Sequence, residues 1–197
     1  SNVVLSCKTG KSEYYEYEDI ELDCDARNSG NIFLESLNIC SENKCEKMSL
    51  GISQAKNVSF EVNKSIYGDR QIPVTLKNSM VSKVSYAGVK GNDIPKIEIE
   101  NLEFPINASY SKNFTINFII AKKSLSSTVN VKVSLSQNGL EKIWYINELA
   151  ENRDFAIKFE GSQLMYGKND YTIKVSYYDG LGKEYSTGKE FSIYIQE

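Results

Sequence analysis

The sequence predicts an all-β protein built as two tandem antiparallel sandwiches of about seven strands each. Three observations predict it. Short runs alternate apolar and polar residues, as a strand with one buried face requires. Gly, Asn, Asp, Ser and Pro clusters punctuate those runs at short, regular intervals. The pattern restarts after Gly91-Asn92-Asp93-Ile94-Pro95, which sets domains at 1–92 and 93–197. No helical period exceeds about two turns.

In the first half, Val3 to Cys7 opens as a short strand, and the polar stretch Lys8 to Tyr17 reads as a connection. Asp19 to Ala26 alternates strictly, with Ile20, Leu22, Cys24 and Ala26 on one face and Asp19, Glu21, Asp23 and Asp25 on the other. Asn28-Ser29-Gly30-Asn31 supplies turn chemistry, because Gly and Asn tolerate positive φ. Phe33 to Ile39 follows with Leu37 and Ile39 inward. Ser41-Glu42-Asn43-Lys44 then makes a four-residue turn. Cys45 to Ile52 returns with Met48, Leu50 and Ile52 in phase. Val58 to Val62, Ile72 to Leu76 and Val81 to Val89 complete the set. Pro73 cannot donate to a ladder, so its strand is expected at an edge or at a bulge.

The second half repeats the design. Ile97 to Ile99, Phe114 to Ile120, Val129 to Leu135, Ile143 to Ile146, Phe155 to Phe159, Tyr171 to Tyr177 and Phe191 to Ile195 read as seven strands. Ile66-Tyr67-Gly68 recurs as Met165-Tyr166-Gly167, 99 positions on, each before a strand. Ser41, Asn43, Glu46 and Lys47 recur as Ser136, Asn138, Glu141 and Lys142, 95 positions on. Two ordered matches within equal strand counts indicate a duplicated unit. The second match sets Leu135 and Leu140 opposite Cys40 and Cys45. The phase disagrees, since Leu37 and Ile39 turn Cys40 outward while Leu135 shares a face with Val133.

The four cysteines, Cys7, Cys24, Cys40 and Cys45, all lie in the first half. Their spacing does not form the two close pairs of a zinc knuckle, and no histidine is present to complete a mixed site. Disulfides are the favoured reading over metal or free thiols, and they imply an oxidising compartment. Of the three pairings, the order of strands favours Cys40–Cys45 across the hairpin and Cys7–Cys24 between the first two strands. Loop entropy gives these about 2 and about 3 kcal/mol. Ser1-Asn2 reads as a cloning scar, compatible with a trimmed leader before Val3.

Three pieces together resemble a known family. They are Ala26-Arg27-Asn28-Ser29-Gly30-Asn31 leading into Leu37-Asn38-Ile39, Tyr67-Gly68 before a strand, and the hairpin segment from Tyr171 to Gly182 with Tyr177-Tyr178-Asp179-Gly180-Leu181-Gly182. The chain resembles the CARDB-type Ig-like modules and the tandem Ig-like repeats of archaeal S-layer-like exported proteins. The resemblance implies Ig-like, fibronectin III-like sandwiches, an extracellular or cell-surface location, and a role as spacer, assembly or adhesion module. It brings no catalytic residues.

Composition excludes several functions. Without histidine, no Ser-His-Asp or Cys-His arrangement forms. No Gly-rich phosphate loop is present. A net charge of -3 lacks the basic footprint of nucleic-acid binding. No apolar run approaches the ~18 residues of a membrane span, so membrane contact is expected only through segments beyond this sequence. We expect no enzyme, no cofactor and no metal. The face Asp19, Glu21, Asp23 and Asp25 is either a solvated face paired with neighbouring lysines or a surface for a cation or basic partner. Residues on it recur every 6.5–7 Å or so, too wide for one Ca²⁺ to reach all four. Tyr14, Tyr15 and Tyr17, interleaved with glutamates, are either a self-packed loop or a stacking surface for sugars or a protein. Asn57, Asn63, Asn107 and Asn113 head N-x-[ST] acceptor sequons. The expected partners are protein domains of the cell envelope or surface glycans. The alternative function is a glycan- or ligand-binding accessory domain of a surface enzyme or transporter.

Overall fold

The computed structural model describes residues 2–63 and 65–197. The chain divides into two compact units, Ser1–Asp93 and Ile94–Glu197. Each is a β-sandwich of one three-stranded and one five-stranded sheet. The first holds β1 (Val3–Thr9), β2 (Glu13–Tyr15), β3 (Ile20–Asn28), β4 (Leu34–Ser41), β5 (Lys44–Leu50), β6 (Ala55–Val62), β7 (Gly68–Lys77) and β8 (Ser82–Asn92). Its sheets run β1-β3-β6 and β2-β8-β7-β4-β5. The second holds β9 (Ile97–Glu103), β10 (Asn107–Ser109), β11 (Asn113–Lys122), β12 (Val129–Gln137), β13 (Leu140–Glu148), β14 (Arg153–Glu160), β15 (Gly167–Tyr178) and β16 (Glu184–Gln196). Its sheets run β9-β11-β14 and β10-β16-β15-β12-β13, the same topology with every strand number raised by eight. Among the described residues no helix is long and apolar enough to cross a membrane.

The alternation seen in the sequence becomes the two cores. Ile20, Leu22, Cys24 and Ala26 of β3 are all buried, and so are Ile72, Val74 and Leu76 of β7. The first core is mainly aliphatic, with Tyr14 and Phe60 added. The second is aromatic. Phe118 stacks on Phe155 at 5.1 Å, Tyr171 stacks on Phe191 at 5.2 Å, and Phe159 meets Tyr171 edge-on. Buried Asn28, Gln137 and Asn169 are paired. The Asn28 amide donates to the carbonyls of Ile32 and Leu50, and its oxygen accepts from Gly30 N. In the second unit Gln137 donates to Asn169, whose own amide closes on Met165 and Gly167.

The structure adds one short strand to each set of seven. β2 and β10 are three residues long and pair parallel with β8 and β16. The stretch Lys8 to Tyr17 is therefore not a plain connection. Two further expectations change at single residues. Ile52 is 59% exposed, because β5 ends at Leu50 and the chain turns through Ser53 at φ 59. Pro73 lies in an interior strand, between β8 and β4, without a bulge there. It is tolerated because β4 ends opposite it: the last pair is Ser41 with Val74. The Pro73 carbonyl points to that side and accepts the Ser41 hydroxyl at 3.4 Å. A strand residue aims its N–H the same way as its C=O, so the missing donor falls beyond the end of β4.

The hairpin turn is two residues, Glu42-Asn43, with Ser41 paired to Lys44 and Glu42 at φ 50. The matching turn is Asn138-Gly139, with Gln137 paired to Leu140 and both turn residues at positive φ. Aligned on their turns, Cys40 and Cys45 correspond to Ser136 and Glu141, not to Leu135 and Leu140. A one-residue slip flips the face, which resolves the phase conflict. In both units the strand entering this hairpin begins with a bulge, at Ser36 (φ 52) and at Asn130 (φ 50).

Two outcomes test this fold. A Cβ on Gly91 would sit 1.9 Å from the Ile66 carbonyl oxygen. We propose that residues 1–92 and 93–197 melt as separate domains. Gly91→Ala then destabilises the first by about 1–3 kcal/mol and leaves the second transition in place by calorimetry. The Tyr171 hydroxyl is buried with no hydrogen-bond partner among the described residues, and burial pushes its pKa up to about 12. An unfolded tyrosine ionises near 10. The contribution of neutral Tyr171 is thus whole below pH 10 and is lost as pH rises from about 10 to 12. Tyr171→Phe is expected to hold or raise stability at pH 7, by up to about 1 kcal/mol, and to lose less of it in that alkaline window. Denaturant melts across pH 7–12 check both parts.

Candidate functional site

Strand geometry places the acidic residues first. Glu21, Asp23 and Asp25 lie on the outer face of β1-β3-β6, and Asp19 precedes β3. Their neighbours on β6 are Glu61, Ser59 and Asn57. The Ser59 hydroxyl donates to Asp23 at 2.7 Å and the Asn57 amide to Asp25 at 3.0 Å. On β1, Lys8 stands directly opposite Asp23 and Ser6 opposite Asp25, while the side-chain hydrogen bonds of these two carboxylates go to Ser59 and Asn57. Among the described residues no three acidic, cysteine or histidine side chains converge as a metal would require.

The tyrosines separate. Tyr14 sits in β2, is 3% exposed and belongs to the core. Its hydroxyl accepts from Lys11 N at 3.0 Å, and the Lys11 ammonium lies over its ring and pairs with Glu18. Glu18 also accepts from Tyr15 N at 2.8 Å. Tyr15 and Tyr17 stack on one another at 5.5 Å. The segment is packed largely on itself, and Tyr14 is not available for stacking. Beside it, the Asn92 amide and then the Lys90 ammonium hold exposed Glu13 below the usual carboxylate range.

Asn57, Asn63, Asn107 and Asn113 are all exposed. The Asn57 amide is engaged with Asp25, and the Asn107 oxygen accepts from Gln196. Lys64, inside the Asn63 sequon, lies outside the described residues.

Two disulfides join Cys7 to Cys24 and Cys40 to Cys45. In both, the half-cystines are directly opposite on neighbouring antiparallel strands, with Cα atoms 4.1 Å apart. This is near the spacing of a pair without mutual backbone hydrogen bonds. Cys7–Cys24 faces the core, with Cys24 fully buried. Cys40–Cys45 lies on the outer face of the five-stranded sheet, where Cys45 is exposed.

The sequence reading missed a further feature, on the outer face of β13-β12-β15. A depression of about 270 Å³ is lined by Asn130, Lys132, Tyr145, Asn147, Ser176 and Tyr178, with Val131 and Ile146 beneath. Lys132 is paired in register with Tyr145 on one side and Ser176 on the other. The bulge at Asn130 shifts the β12–β15 register at this point. The available signal was the phase of β13. Trp144, half-buried and edge-on to Phe155, fixes Tyr145 outward.

No protein-family model matches the chain, and no curated protein does. Solved structures give looser likenesses. One is a Ca²⁺-stabilised adhesin with which an Antarctic bacterium binds ice, at 10% identity and TM-score 0.48. The match covers 98% of this chain and 48% of that one, so the chain spans about half the adhesin's length. The first two domains of DIP-gamma match at 10% identity and TM-score 0.42, covering 100% and 99% of the two chains. Fibronectin III-like modules of Clostridium thermocellum CbhA match at 10% identity and TM-score 0.34, covering 96% and 94%.

The two disulfides differ in access, and attack by a thiolate needs access. Titration with a mild dithiol is expected to open Cys40–Cys45 first, while Cys7–Cys24 persists until the first domain unfolds. Stepwise alkylation followed by peptide mapping reads the order. Simultaneous opening, or Cys7–Cys24 first, contradicts it.

Proposed function

We propose that the chain is a non-enzymatic module of an exported protein at the cell surface, a structural spacer or adhesion element of the CARDB or S-layer-like kind. The observation that carries this reading is the pair of disulfides in the first of two sandwiches that share one topology. Paired cystines are kept in oxidising compartments and are rare in reducing ones. Repetition of one closed unit provides reach without adding chemistry. Partners of the envelope, protein or glycan, meet the outer sheet faces, and the strip Glu21, Asp23 and Asp25 suits a basic one.

A second reading, a glycan-binding accessory domain, is favoured by one observation: the depression between Tyr145 and Tyr178. The tyrosines of the first unit favour it less, since Tyr14 is buried.

An antibody to the folded two-domain protein is expected to label intact, unpermeabilised cells of the source organism. Thiol trapping of native material is expected to find all four cysteines oxidised. Labelling only after permeabilisation, with four alkylated thiols, would refute export.

A further inference from the structure

We propose that the depression on the outer face of β13-β12-β15 is a saccharide-binding site, with Tyr145 and Tyr178 as its aromatic walls. This gives the glycan-binding reading a location, and it does not depend on where the protein resides.

Three observations carry it. The first is an aromatic side chain where packing does not require one. Tyr145 is 74% exposed on a sheet face, and Tyr178 borders the same hollow from β15. Pyranose rings present axial C–H groups that lie against such rings, and the phenol hydroxyls stay available at the rim.

The second is the state of the polar groups between them. At several other places on the outer faces neighbouring polar side chains bond each other, as Asp23 does with Ser59, Asp25 with Asn57 and Asp170 with Ser192. Here Asn130, Lys132, Asn147 and Ser176 have no side-chain hydrogen bond or ion pair among the described residues. Two amides, a hydroxyl and an ammonium thus surround one hollow with their bonding capacity uncommitted. That mix of donors and acceptors suits the vicinal hydroxyls of a sugar. Lys132, the one charged lining residue, favours a sugar carrying a carboxylate.

The third is the backbone. The bulge at Asn130, held at φ 50, breaks the β12–β15 register between Val129 and Lys132. Bulges re-aim side chains in this way. Tyr145 stands two strands from Ser176, and Tyr178 lies two residues further along β15. Strand spacing and rise therefore set the two tyrosine Cα positions roughly 12 Å apart. A short oligosaccharide spans that distance, and a single small ion does not.

The test is an immobilised panel of neutral and uronic-acid-containing oligosaccharides probed with the two-domain protein, followed by amide chemical-shift titration with any hit. The expected result is binding that shifts amides of β12, β13 and β15. Tyr145→Ala and Tyr178→Ala, each checked for unchanged melting, should weaken it about tenfold or more. Lys132→Ala should weaken acidic sugars more than neutral ones. Tyr15→Ala and Tyr17→Ala should leave it unchanged. Absence of any binding at millimolar saccharide overturns the site, as does binding that survives both β13 and β15 substitutions or is lost through Tyr15 and Tyr17. Surface labelling of intact cells is read separately, so a failed site and a failed export reading are told apart.

Discussion

Each sandwich depends on a crossing made by its first segment. β1 pairs with β3 in one sheet, and within a few residues the chain joins the other sheet as β2, parallel to β8. β9 and β10 do the same with β11 and β16. One stretch of chain thus covers an edge of both sheets and ties them together. In the first unit β8 also comes close to the segment before β7, where Gly91 leaves room for the Ile66 carbonyl. The edges left over, β5, β6, β13 and β14, bear charges such as Lys44, Glu61, Lys142 and Lys158, a usual defence against edge-to-edge association.

On this shared frame the two units are secured differently. The first has a mainly aliphatic core and a cystine facing it, where Cys7 meets Cys24. In the matching pair of strands the second sets Ile99 against Ile120 and gathers Phe118, Phe155, Phe159, Tyr171 and Phe191 around them. A cystine stabilises mainly by restricting the unfolded chain, whereas an aromatic cluster stabilises through buried area in the folded one. One topology therefore tolerates two stabilising strategies, and the cysteines belong to one copy rather than to the fold.

The long strands were legible because a buried face writes itself into every second residue. β2 and β10 were not, since three residues held by main-chain bonds carry no period. Pro73 misled for a related reason. The rule that bars proline concerns a missing partner, and a central strand offers such a place where its neighbour stops at Ser41. The hairpin match failed by one residue because Asn43 was equated with Asn138, when the structural counterpart of Asn138 is Glu42. Site legibility was poorer still. The acidic face and the tyrosine segment drew attention by composition, yet Asp23 and Asp25 already accept from Ser59 and Asn57, and Tyr14 is buried. The hollow at Tyr145 lies beside a bulge at Asn130, a backbone event with no compositional mark.

The positions of the cystines bear on how the chain would respond to tension. Cys7–Cys24 encloses a separation of 17 residues, and Cys40–Cys45 one of 5. Pulled from its ends, the oxidised first unit withholds on the order of 70 Å of contour length that the reduced chain would pay out. The second unit has no such reserve, because its cross-strand contacts let go completely once they part. A spacer made of these two units would have one element that yields in full and one whose extension is capped.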